Sequence, residues 1–184
     1  MNTVIETIKR RRSIRTFLPK PLAEEDLRAI LDAGIHAPSG HNDQPWFFTV
    51  IRNKAFIDYM SSRAKEVMAE SETPWIARMG NSDRHILYNA PAVIIVSGRR
   101  QAYSPLSDCS AAIQNMLLAA ESLNIGSVWV GLIDHFFTRP EDLQKLNLPD
   151  GYQPFYAVCL GYKAVESAPA ALPKRNAGVI HYWA

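Results

Sequence analysis

Cysteine is scarce in this chain, and its two copies are not placed to act together. Cys109 and Cys159 lie 50 residues apart in apolar stretches, with no Cys or His at ligand spacing. That excludes a disulfide scaffold and reads both thiols as small buried hydrophobes. The five histidines, His36, His41, His85, His135 and His181, form no metal-ligand pair, so no metal is expected. No Walker A loop and no strand-linked Gly-x-Gly-x-x-Gly is present, which argues against a Rossmann-type nucleotide domain. The Gly-x-Ser-x-Gly elbow of a serine nucleophile is also missing. No apolar run approaches the roughly 20 residues of a membrane span. No apolar segment follows the basic N-terminal residues as in a secretory signal. A cytoplasmic protein without a membrane partner is expected. Repeats, low-complexity segments and interdomain linkers are absent too, so residues 1–184 read as one domain.

What is present is ordinary in bulk and uneven in detail. The 184 residues are 47% apolar and 21% charged, enough for one well-filled core. The formal net charge is only +2. Residues 1–20 nevertheless hold six Lys and Arg against Glu6 alone, a local balance of +5. A compact basic cluster on a nearly neutral chain points to a discrete anion such as a phosphate. It does not suggest a polyanion track, and no nucleic-acid partner is expected.

Hydrophobic spacing predicts the elements. Val4, Ile5 and Ile8 mark an amphipathic helix over 2–12 that ends in Arg10, Arg11 and Arg12. By itself, that ending only balances the helix dipole. Leu27, Ile30, Leu31 and Ile35 predict a helix over 24–36, with Glu24, Glu25 and Asp26 in its first turn. A loop from Pro38 to Pro45 leads into a strand over 46–51. Residues 54–69 read as helix, and 74–89 as a loop with a second helix. Val93 to Val96 is a short buried strand. Ile113, Met116, Leu117, Ala120 and Leu123 define a long Ala-rich helix over 106–124. Residues 127–133 and 155–161 are further strands, and 140–146 a short helix with Thr138 as N-cap. The strands are continuous apolar runs, which argues for a sheet covered by helices on both faces. The tail from Ser167 is rich in Pro and Ala, then basic, then apolar at Val179, Ile180, Tyr182 and Trp183. Such an end has no obvious place in a finished core and could reach a second subunit.

Several polar groups could hold a charged, planar ligand. Arg11, Arg12, Ser13 and Arg15 offer cationic donors and a hydroxyl, and Lys174 with Arg175 adds a second basic pair. Guanidinium forks suit phosphate oxygens. Ser39, Gly40, His41 and Asn42 supply a hydroxyl, an amide and open backbone, a match for the acceptors and donor of a flavin pyrimidine edge. Trp129-Val130-Gly131-Leu132 ends a strand at a Gly, where backbone can approach a ring. With no protein nucleophile indicated, a cofactor would carry the hard chemistry.

Taken in order, these pieces resemble the FMN-dependent nitroreductase family across essentially the whole chain. The motifs are R-R-S-I-R at 11–15, P-S-G-H-N-D-Q-P-W at 38–46, and Asp108-x5-Gln114 on the Ala-rich helix. V-W-V-G-L at 128–132 and L-P-K-R at 172–175 follow. The resemblance implies an α+β nitroreductase-like fold, a helix-covered mixed β-sheet in an interlocked homodimer. Residues 168–184 would be a swapped C-terminal arm packing on the partner subunit. FMN would be held by Arg11, Arg12 and Ser13 at its phosphate and ribityl oxygens, and by Arg15 near N1 and the C2 oxygen. Pro38, Ser39, Gly40 and Asn42 would reach it from the other subunit. Val130, Gly131 and Leu132 would line the ring near N5, and Lys174 and Arg175 would close on the phosphate. NADH or NADPH would be the electron donor, and small nitroaromatics or quinones the acceptors, in a ping-pong cycle. No side chain is assigned as a catalytic acid or base; Arg15 acts electrostatically. Flavin destruction, dehalogenation, dehydrogenation and non-catalytic flavin binding are the alternatives. Two departures stand out: position 40 is Gly where many members carry Ser, and position 131 is Gly where some carry Glu.

Overall fold

Four apolar runs pair into one sheet in the spatial order β1-β2-β4-β3: β1 (Trp46–Ile51), β2 (Ala92–Arg99), β3 (Ile125–Val130) and β4 (Tyr152–Tyr162). The computed structural model describes residues 2–164, 175–176 and 178–183. Among these, every pair of neighbouring strands is antiparallel. The expected mixed sheet is corrected accordingly: its one parallel contact is the single bridge between Ser13 and Ser127 on the outer edge of β3.

Both faces of the sheet are buried, as the unbroken apolar runs predicted. Alternate residues of each strand face opposite ways. Val93 and Ile95 of β2, with Ala157 and Cys159 of β4, join one core cluster. Ile94 and Val96, with Val158 and Leu160, join the other. The first face is covered by α3 (Lys54–Ala69) through Ile57, Met60, Ala64 and Met68, and by Phe136. The second is covered by α2 (Glu24–Ile35) and α5 (Pro105–Ser122), through Leu27, Ile30, Ile113 and Met116. Helices α4 (Pro74–Gly80) and α6 (Pro140–Leu143) are short.

The differences from expectation have local causes. Helix α1 (Thr3–Arg10) stops two residues early, because Arg11 leaves helical geometry with ψ near 135°. β4 begins three residues early despite Pro154, which lacks a ladder donor. It is accommodated at a bulge, where the register with β2 shifts between Val96 and Ser97. The strand expected over 127–133 gives way after Val130 to a 3-10 segment, Leu132–Thr138. Thr138 is not the cap of α6. Its hydroxyl donates to the His135 carbonyl, and Arg139 holds the cap position. Both cysteines are buried. Among the described residues, no helix is long and apolar enough to cross a membrane.

Candidate functional site

The basic N-terminal run is placed by a buried carboxylate. Glu121, near the end of α5, is 5% exposed. Its Oε1 accepts from Arg10 Nε at 2.8 Å and its Oε2 from Lys163 Nζ at 2.9 Å. These two cations pair with it, and among the described residues neither Arg11 nor Arg12 has an acid within ion-pair distance. Arg12 turns back on the chain, its Nη1 donating to the carbonyls of Lys9 and Arg11 at 2.8 and 2.7 Å. Its Nε is buried with no hydrogen-bond partner. Partial burial lowers the pKa of Arg11, and the charges of Arg12 and then Arg175 lower it further. The structure therefore brings Arg11, Arg12 and Arg175 together. Three positive charges that act on one another, with an orphaned N–H on Arg12, form a corner that an anion would relieve.

The chain then runs along β3. Ile14 is buried, and its N–H donates to the Ser127 carbonyl at 2.9 Å. In extended backbone, its neighbours Ser13 and Arg15 face the other way, and both are exposed. The Arg15 guanidinium lies 5.8 Å above the Tyr88 ring. Four residues after Ser127, about 13 Å along the strand direction, comes Gly131. A Cβ built on Gly131 would meet no atom within 4 Å, so the packing of this chain does not demand glycine there. The open space is what a flat ligand lying on the backbone would need. Val130 is buried behind it, and half-buried Leu132 opens the 3-10 segment. The first N–H groups of that segment have no partner within it.

The second group of residues sits at the far edge of the sheet, before β1. The loop Ser39–Gln44 holds three residues other than glycine at positive φ: His41, Asn42 and Gln44 at 54°, 58° and 44°. The conformation is held by many ties. Gln44 N–H donates to Ser39 Oγ at 3.0 Å, and Gln44 Nε2 to Asn42 Oδ1 at 3.1 Å. Gly40 N–H donates to Asp108 Oδ1 at 3.2 Å, where the Ser104 hydroxyl also donates at 2.8 Å. Tyr103 N–H donates to Asp43 Oδ2 at 2.9 Å. The His41 and Tyr103 rings meet at 4.7 Å, and Tyr103 is 74% exposed. A Cβ at position 40 would come within 2.9 Å of Ser104 Oγ and 3.0 Å of Tyr103 Cδ1. That close approach leaves little room for a side chain at position 40. Pro38 and Asn42 are exposed; Ser39 and Gly40 are half-buried.

The two groups do not meet within one chain. β2 and β4 separate β1 from β3, a width of about 14 Å at three strand spacings. Pro38, Ser39, Gly40 and Asn42 thus stand apart from Arg11, Arg12, Ser13, Arg15, Val130, Gly131 and Leu132. Lys174 lies outside the described residues, as does most of the 168–184 segment. Gln114 is exposed on α5, and Asp108 is the buried anchor of the Gly40 loop. Sequence reasoning missed Glu121, Lys163 and Tyr103. No sequence signal singles out Glu121, which shares α5 with Asp108.

The sequence profile of the nitroreductase family matches residues 8–162. The chain belongs to that family. It is 36% identical to a nitroreductase from Bacteroides fragilis whose crystal structure contains bound FMN; 100% of each chain is covered, at a TM-score of 0.91. A second FMN-bound nitroreductase, from Desulfitobacterium hafniense, is 30% identical over 100% of both chains, at a TM-score of 0.88. An NADPH-flavin oxidoreductase from Vibrio harveyi is 26% identical, over 98% of this chain and 73% of that protein. Within the nitroreductase fold, Gly131 and the arginine corner flank β3, and the Gly40 loop is on the opposite edge.

Proposed function

We propose that this nitroreductase-family protein is an FMN-dependent oxidoreductase. It uses NADH or NADPH to reduce small electron-poor organic molecules, such as nitroaromatics or quinones, by two electrons. The observation that carries this reading is the arginine corner, where Arg12 Nε is buried without a partner beside Arg11 and Arg175. Such a corner suits a dianionic phosphate. The open face over Gly131 suits an isoalloxazine ring, so the residues present fit FMN. Bound there, FMN would supply the two-electron redox chemistry between the nicotinamide and the acceptor.

The chain's own part is binding and electrostatics. Arg11, Arg12 and Arg175, with Lys174, hold the phosphate, and Ser13 a ribityl oxygen. Val130, Gly131 and Leu132 present backbone to the ring. Arg15 places a positive charge at the pyrimidine edge, where negative charge gathers on reduction. Pro38, Ser39, Gly40 and Asn42 complete the site from a second subunit, because within one chain they stand across the sheet. Exposed apolar side chains support that homodimer. Val4, Ile5 and Ile8 of α1 lie open beside a groove of about 420 Å3 between α1, α2 and α5. Val179, Ile180, Tyr182 and Trp183 are exposed as well, fitting residues 168–184 as an arm on the partner. A cytoplasmic location accords with this role.

The test is the absorbance spectrum of the purified protein before and after anaerobic NADH or NADPH. A flavin spectrum that bleaches with the nicotinamide and returns with a quinone is expected. A protein that stays colourless after reconstitution with FMN, or a bound flavin that neither nicotinamide reduces, would sink the reading.

A further inference from the structure

A cleft of about 400 Å3 lies beside Arg15, lined by Arg15, Arg84, His85, Tyr88 and Asn89. Arg15 and Arg84 are the two arginines of its lining. Among the described residues, Arg15 makes only a 3.4 Å contact to the Ser13 carbonyl and the approach to the Tyr88 ring. Among the described residues, neither it nor Arg84 has an acidic partner within ion-pair distance. Asp83 is exposed next to Arg84 in sequence and makes no ion pair with it among the described residues. One acid stands behind the wall: Asp58 Oδ1 is 3.3 Å from His85 Nε2, and the same carboxylate takes Lys54 Nζ at 2.6 and 2.8 Å. His85 Nδ1 accepts from the N–H groups of Leu87 and Asn89 at 3.1 and 3.4 Å. Burial lowers its pKa.

The cleft wall is also built to keep its shape. Tyr88 and Asn89 are consecutive residues at positive φ, 55° and 51°. They are held by the two bonds to His85 Nδ1 and by Tyr88 N–H to the His85 carbonyl at 2.9 Å. Ala90 N–H bonds the Leu87 carbonyl at 3.1 Å. Ile86 N–H is fixed from behind by the buried Ser61 hydroxyl at 3.1 Å. Strained backbone that is tied at every step commonly presents a binding surface.

We propose that this cleft binds the oxyanion of a small molecule, with Arg84 and Arg15 as its two cations, and so favours anionic over neutral ligands. The inference rests on the reading of Arg15 as facing the flavin's pyrimidine edge, which makes the cleft the vestibule of that site. Two sources share the chemistry: a carboxylate on the acceptor, or the 2′-phosphate of the donor. Guanidinium planes recognise either group.

Isothermal titration calorimetry on the full-length protein separates them. Benzoate probes the carboxylate and adenosine 2′-phosphate the phosphate, with benzyl alcohol and adenosine as neutral controls. At least one anion should bind where its neutral control does not, and added salt should weaken it. Arg84→Ala should weaken that anion about tenfold, the loss of one charge-assisted hydrogen bond. Arg84→Lys should recover part of the loss, and flavin content should not change in either variant. Binding of neither anion, or equal affinity in wild type and Arg84→Ala, would overturn the proposal. The heat of anion binding is read whether or not flavin is bound. Failure of the flavin reading would show separately, as a colourless protein.

Discussion

Glu121 Oε1 accepts from Arg10 Nε at 2.8 Å, an ion pair that joins the last turn of α5 to the last turn of α1. The carboxylate is buried while the arginine is mostly exposed, and Lys163 from the end of β4 completes the arrangement. One acid thus fixes three elements behind the arginine corner. Glu121→Gln should cost about 1–3 kcal/mol of stability. The figure is below that for a fully buried pair, because Arg10 remains in water. Urea unfolding of the two proteins measures it. A midpoint unchanged at equal slope would show that the pair contributes nothing.

Arg15 and Arg11 should separate by function. On the proposed site, Arg15→Ala removes positive charge from the pyrimidine edge and lowers the flavin midpoint potential. A loss of about 1–3 kcal/mol corresponds to roughly 20–65 mV for two electrons. Arg11→Ala should instead weaken FMN affinity and leave the potential nearly unchanged. Anaerobic dye equilibration of both variants decides the matter. Equal shifts, or no shift in Arg15→Ala, would dissolve this division of labour.

The two thiols should be inert in the folded protein. Burial pushes the Cys109 thiol up to about 12, with Asp108 adding to the effect, and raises Cys159 further. At mildly alkaline pH, thiolate is then a trace species in either residue. Cys109 also donates to the Ser97 carbonyl at 3.4 Å. A thiol reagent should label neither cysteine until denaturant is added, when both should react. Rapid labelling of the native protein at either position would contradict the burial.

Much of the fold was legible in the spacing of apolar residues. β1 and α3 occupy the spans their patterns predicted, because each pattern is bounded by clear turn residues. The sheet's covering on both faces was legible for the same reason. Strand direction was not, since apolar runs carry no sign of it. The 3-10 segment was missed because its buried residues, Ile133 and Phe136, follow directly on a strand of the same apolar character. The site motifs stood out because turn residues and arginines cluster in them. Their separation was implied by the family resemblance alone; residue spacing could not give it, because it depends on strand order. Glu121 was invisible for a related reason: a charge on a helix reads as solvated until the packing around it is known.

That separation gives the sharpest prediction. If the Gly40 loop of one subunit completes the site on β3 of the other, each FMN needs two chains. Arg11→Ala damages one half of every site in its own homodimer, and Asn42→Ala damages the other half. In a mixed dimer both defects fall in one site, and the second site is built from two intact halves. Refolding the two variants together at equal amounts should yield mixed dimers in about half of the molecules, and so restore about a quarter of the sites. FMN fluorescence quenching and nicotinamide-dependent bleaching should both recover to that level, while each variant alone stays low. If both halves of the site came from a single chain, mixing would restore nothing. Recovery indistinguishable from the average of the separate variants would therefore reject the two-chain site, even if each substitution had weakened flavin binding as expected.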